Sequence, residues 1–164
     1  MHVYPKIALV TLVILVAAAC GSSGTSGSEC SSNSDCPSQS CVVGACTVSA
    51  AIGPEGGQLS TKLVALTIPA GALTATTTVT ITPSPAESGG KSLVFTVDLD
   101  GQILNSDATL TITFGSDTSD YVIVKRAAGP IFEKCDGSTS SSDGTISCPI
   151  SKGGAFMVAP APPQ

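Results

Sequence analysis

From residue 48 onward the chain is written largely in a two-residue period. Val79 and Ile81 interleave with Thr78, Thr80 and Thr82, and Leu110, Ile112 and Phe114 interleave with Thr109, Thr111 and Thr113. Val64, Leu66 and Ile68 follow the same rule, as do Leu93, Phe95 and Val97. Successive side chains of a strand point to opposite faces, so this spacing gives each segment one buried and one wet face. Tyr121 to Val124 reads as a further strand, apolar throughout. Thr and Val favour extended backbone, and no segment shows the 3.6-residue period with caps that a helix needs. Turn signals separate the runs: Gly56-Gly57, Pro69-Ala70-Gly71, Pro83 to Gly90, Asp100-Gly101, Gly129-Pro130 and Asp143-Gly144. The expectation is an all-β chain of about eight to ten short strands, folded as an antiparallel β-sandwich over residues 48–158.

The cysteines set the second constraint. Four of the seven, Cys30, Cys36, Cys41 and Cys46, fall within 17 residues, with five, four and four residues between them. So short a segment cannot bury enough apolar surface to fold without cross-links. Zinc is the competing reading, but tight zinc sites favour Cys-x2-Cys pairs and reducing compartments. We therefore read residues 30–47 as a small segment held by two disulfides. Four cysteines allow three pairings, of which we take the interleaved one, Cys30–Cys41 with Cys36–Cys46. Ser34-Asp35-Cys36-Pro37 and Cys41-Val42-Val43-Gly44-Ala45-Cys46 resemble short cysteine-rich motifs near the start of bacterial surface lipoproteins. Cys135 and Cys148 flank the polar stretch Asp136 to Gly144 and are expected to close it as a hairpin, worth about 3 kcal/mol on the loop-entropy model.

That leaves Cys20. It ends an apolar run of thirteen residues, Ile7 to Ala19, preceded by Lys6. At 1.5 Å per residue the run is about 20 Å long, too short for a ~30 Å hydrocarbon core. Its layout is that of a cleaved secretion signal over residues 1–19. Ala17-Ala18-Ala19-Cys20 resembles the box of the bacterial lipoprotein signal, with Ala17 where Leu is usual. That resemblance implies a diacylglyceryl group and an amide-linked acyl chain on Cys20, a stable anchor because it holds more than one chain. It also implies the outer membrane of a bacterial envelope, because Gly21 rather than Asp follows the cysteine. Residues 20–29 then comprise the lipidated Cys and a Gly/Ser linker spanning ~15–18 Å.

Composition narrows the function. Removing Lys6 with the signal leaves six Lys and Arg against twelve Asp and Glu, so nucleic acid finds no basic patch. The only histidine, His2, lies in the signal. The mature chain of about 145 residues therefore has no imidazole for Ser-His, Cys-His or histidine-zinc catalysis. Its serines lack a general base, and Ser151 and Lys152 would point to opposite faces of a strand. We expect no enzyme, no cofactor and no small-molecule substrate. The expected partners are the membrane, through the N-terminal lipid, and a protein or other envelope component.

One stretch is more specific. Ile52-Gly53-Pro54-Glu55-Gly56-Gly57-Gln58-Leu59, then Leu66-Thr67-Ile68-Pro69-Ala70-Gly71-Ala72-Leu73 and Thr78-Val79-Thr80-Ile81, resembles the opening of a ZU5 domain. That family has Gly-Gly plus an apolar residue, an Ile-Pro-x-Gly-Ala-Leu turn and an alternating strand. The resemblance implies a β-sandwich used as an interaction module. Some relatives cut themselves at a His-Phe-Ser sequence. The matching place here is Gly154-Ala155-Phe156-Met157, with neither the His nor the Ser, which implies no self-cleavage. Residues 159–164 are Pro-rich and read as a disordered tail.

The alternative is calcium-dependent adhesion. Asp98 and Asp100 would share a strand face, roughly 7 Å apart, with Asn105 and Asp107 close behind. Calcium takes six to eight oxygens, which such residues supply, but the spacing is not that of an EF-hand. The plainer reading of Asp98 to Gly101 is a hairpin with an Asp-Gly turn.

Overall fold

The computed structural model describes residues 30–115, 120–129 and 131–161. Among them the chain is all-β, with thirteen strands and one 3₁₀ turn, Asn33–Asp35. The short strands β1 (Cys41–Val42) and β2 (Ala45–Cys46) form a hairpin of their own. The others are β3 (Val48–Ile52), β4 (Gly57–Ser60), β5 (Val64–Ile68), β6 (Thr77–Ser84), β7 (Val94–Asp98), β8 (Ile103–Thr113), β9 (Tyr121–Ala128), β10 (Ile131–Lys134), β11 (Thr139–Ser140), β12 (Thr145–Lys152) and β13 (Gly154–Pro160). They build a six-stranded sheet in the order β10-β9-β13-β7-β6-β3 and a five-stranded sheet in the order β11-β12-β8-β5-β4. Every pairing is antiparallel.

The two-residue period becomes the core directly. Val64, Leu66 and Ile68 of β5 are buried, and so are Val79 and Ile81 of β6, Phe95 and Val97 of β7, and Leu110 and Ile112 of β8. The intervening Thr67, Thr78, Thr82, Thr96 and Thr109 are exposed. Side chains from both sheets meet in one apolar cluster, which makes the architecture sandwich-like. Each fully buried Leu or Ile contributes about 1.5–3 kcal/mol.

The stretch rich in Gly and Pro closes one end of this core. The Gly71 amide donates to the Pro54 carbonyl at 2.7 Å, locking the loop before β4 to the turn after β5. Gly56 has φ +77°, and a Cβ there would stand 2.5 Å from the Ile68 carbonyl oxygen, so glycine is required. Beyond the turn, Ala72 and Leu73 are buried in the shared core, and the Ala72 carbonyl accepts the Asn105 amide at 2.9 Å.

Two connections differ from the sequence reading. Asp100-Gly101 is a turn, with φ of 53° and 72°, but it is not a hairpin turn. It joins β7 of the six-stranded sheet to β8 of the other sheet, with Leu99 buried at the crossing. Cys135 and Cys148 are bonded, with Cα atoms 6.3 Å apart, yet they do not close a hairpin between neighbouring strands. Cys135 follows β10, and its amide donates to the Ile123 carbonyl of β9, whereas Cys148 lies in β12. The bond therefore ties one sheet to the other. Pro149 is tolerated in β12 because pairing with β11 ends at Ser147, leaving that side of β12 an edge.

β9 is apolar on both faces because both are covered. Ile123 faces the shared core, while Val122 and Val124 join Val94 and Met157 in a second cluster on the outer face. The β6–β7 connection lies over it, with Gly90 against Met157. The connection is held by the Lys91 amide on the Val158 carbonyl at 2.8 Å and by an ion pair between Glu87 and Arg126. Arg126 also sits 5.1 Å above the Phe132 ring. The last strand runs to Pro160, two residues past the expected boundary at 158.

Candidate binding cleft

The cysteine-rich segment is organised by its cross-links. Cys30 bonds Cys41 and Cys36 bonds Cys46, which is the interleaved pairing, with Cα separations of 5.9 and 5.5 Å. Asp35 caps the segment by accepting the Ser31 and Ser32 amides at 2.8 and 2.9 Å. These bonds, the one from Ser31 first, hold its carboxyl below the usual carboxylate range. Among the described residues the one set of three or more His, Cys, Asp or Glu whose ligand atoms converge is Cys30, Cys36 and Cys46. Their sulfurs are committed to disulfides, which removes the thiolates a metal would need.

The acidic stretch considered for calcium does not gather. β7 ends at Asp98, so strand alternation does not carry Asp100 onto the same face. The Asp98 carboxylate instead accepts the Asp100 amide at 2.9 Å, stabilising the turn. Asn105 lies in β8, with its amide held by the Ala72 carbonyl. Asp107 is exposed on β8 and lines a different cavity from Asp98. Cys20, the signal and the linker lie outside the described residues.

The structure brings together a set of residues that spacing did not reveal. Where β12 turns into β13, a cleft of about 650 Å³ opens over Ile150 and Phe156. Its rim carries Lys125 of β9, Glu133 of β10, Asp107 of β8, Asp136 and Lys152. Among the described residues neither lysine forms an ion pair with these carboxylates. The size lies within the range of ligand pockets, and the rim presents both signs of charge. Such a rim can engage a partner carrying both signs. The register shift at Ser151 and the adjacent Gly153-Gly154 shape the cleft. A Cβ on Gly153 would lie 2.6 Å from the Val97 carbonyl oxygen, so the connection packs against β7. A bulge beside paired glycines was the one sequence-level hint, visible only as Ser151-Lys152-Gly153-Gly154.

A second cavity of about 440 Å³ lies on the other side of Lys152-Gly153-Gly154, lined by Asp98, Leu99, Gln102 and the exposed Ile103. Its position relative to the cysteine-rich segment follows from register. Val48 pairs with Ile81 and Ile52 with Thr77, so residues before Val48 run toward Ser84. Asp98 pairs with Thr80, so Leu99 to Gly101 lie toward Thr77. The stapled segment and this cavity are thus at opposite ends of the sandwich.

No model of a known protein family matches the chain, and no curated protein matches it.

Proposed function

We propose that the chain is a lipid-anchored protein of the bacterial outer membrane whose ZU5-like β-sandwich is a non-catalytic interaction module. The observation that carries this reading is the cysteine count. Three disulfides use Cys30, Cys36, Cys41, Cys46, Cys135 and Cys148, and the seventh cysteine is Cys20 at the end of the signal-like run. Paired cysteines suit an oxidising compartment, where acylation of Cys20 removes the remaining thiol.

Two further observations support the module role. The mature chain lacks histidine, and the cleft at Lys125 and Lys152 combines an apolar floor with charges of both signs. The second cavity, at Asp98 to Ile103, lies by register at the end away from the cysteine-rich segment, so that end is presented away from the lipid. Expression in a bacterium supplied with labelled palmitate tests the anchor: the wild type takes up label and Cys20→Ala does not. Label that survives this substitution defeats the reading. Affinity capture of partners by the folded domain from envelope extracts then tests the module. Partner capture lost in Lys125→Glu/Lys152→Glu supports the cleft, and capture unchanged in that variant removes it.

A further inference from the structure

We propose that the tip of the stapled hairpin, Val42–Val43, contacts lipid and seats the folded part on the bilayer that holds Cys20. The inference rests on the anchoring reading and adds where the protein touches the membrane.

The β1–β2 turn is Val43-Gly44, with φ of 49° and 81°. Two positive φ angles in a two-residue hairpin are the province of Asn-Gly and Asp-Gly. Valine is poorly suited there, because its branched Cβ crowds the backbone in the left-handed region. Asn would make the same turn with less strain. What valine adds is an apolar surface, and Val43 is 68% exposed. Strain that the surroundings hold in place is a signature of function. Here the surroundings are two cross-links flanking the turn, Cys30–Cys41 and Cys36–Cys46.

The covalent path lets this tip reach the membrane. The chain joins the folded part at Cys30, whose Cα is 5.9 Å from that of Cys41. Val43 is two residues farther on, so it lies within about 14 Å of Cys30 at 3.8 Å per step. Ten steps separate Cys20 from Cys30, a reach of at most about 35 Å. The occupant is apolar lipid rather than a charged surface. Residues 30–47 contain no Lys or Arg, and their one carboxylate, Asp35, is held by the Ser31 and Ser32 amides. A small apolar tip partitions weakly alone, but the acyl chains make its contact effectively intramolecular.

The chain contains no tryptophan, so Val43→Trp installs its only indole. Ile103→Trp, at a site 74% exposed on the sandwich, controls for the indole's own affinity for lipid. Both acylated full-length proteins are placed in phosphatidylcholine vesicles with brominated acyl chains. The expected result is about a twofold or greater loss of emission for Val43→Trp, little for Ile103→Trp, and no dependence on added anionic lipid. Val43→Trp left unquenched while the mass shows acylated Cys20 overturns the docking and leaves the anchor standing. Equal quenching at both sites also overturns it. A protein without acyl chains overturns both readings, and the mass distinguishes that case. A second readout needs no indole: amide exchange across residues 41–46 of the wild type slows on vesicles, and Val43→Asn abolishes the slowing. Equal slowing in that variant contradicts the proposal.

Discussion

Cys135, hydrogen-bonded to β9, and Cys148 of β12 are joined across the two sheets by a bond within the buried core, with the two residues 3% and 1% exposed. The sandwich is therefore cross-linked across its layers. Replacing both by Ala removes a closure of sequence separation 13 and should cost about 3 kcal/mol, less any relief of strain. Urea unfolding of C135A/C148A against wild type measures this. A loss under about 1 kcal/mol would mean that the packing alone joins the sheets.

Gly56 and Gly101 separate strain from contact. Both have positive φ, +77° and +72°. A Cβ on Gly56 meets the Ile68 carbonyl oxygen at 2.5 Å, whereas one on Gly101 meets nothing within 4 Å. Gly101→Ala should cost about 1 kcal/mol, the left-handed penalty alone. Gly56→Ala should cost about 2–3 kcal/mol because the locked loops must also separate. Equal losses in thermal melts would contradict the interlock.

Val43 is expected to be better replaced for stability. Val43→Asn suits the positive φ of the turn and should gain about 1 kcal/mol, raising the melting temperature by a few degrees. A destabilised variant would show that the valine packs in the free protein.

Two carboxylates set an acid limit. Asp143 is held below the ordinary value of 3.8 mainly by the Thr145 hydroxyl and then by Ser141. Asp35 is held below 3.8 by the bonds from Ser31 and Ser32. Because the folded values are depressed, their contribution is fully present above pH 3.8 and is lost as pH falls through the lower folded values. Amide exchange at Ser31, Ser32 and Thr145 should accelerate in that acid range beyond its intrinsic pH trend. Asp35→Asn should remove the effect at the two serines only. Exchange at Ser31 and Ser32 that follows pH identically in this variant would refute the assignment.

The strand content was legible where one face is buried and the other wet. Leu66, Ile81 and Ile112 announce their strands through threonine neighbours, and each is fully buried. Sheet membership was not legible. Asp100-Gly101 makes a tight turn in either case, and only packing sends β8 into the opposite layer. The same ambiguity hid the inter-sheet role of Cys135–Cys148. Val122 and Val124 carried no sign that the β6–β7 connection would cover them. The cleft was least visible, because Lys125 and Lys152 line it from strands of different sheets.

The mass of the amino-terminal peptide from the protein purified out of its own membranes tests the account most directly. The prediction is a chain beginning at Cys20 and carrying both diacylglyceryl and amide-linked acyl groups. A chain that starts at another residue, or at Cys20 with a free thiol, would contradict it.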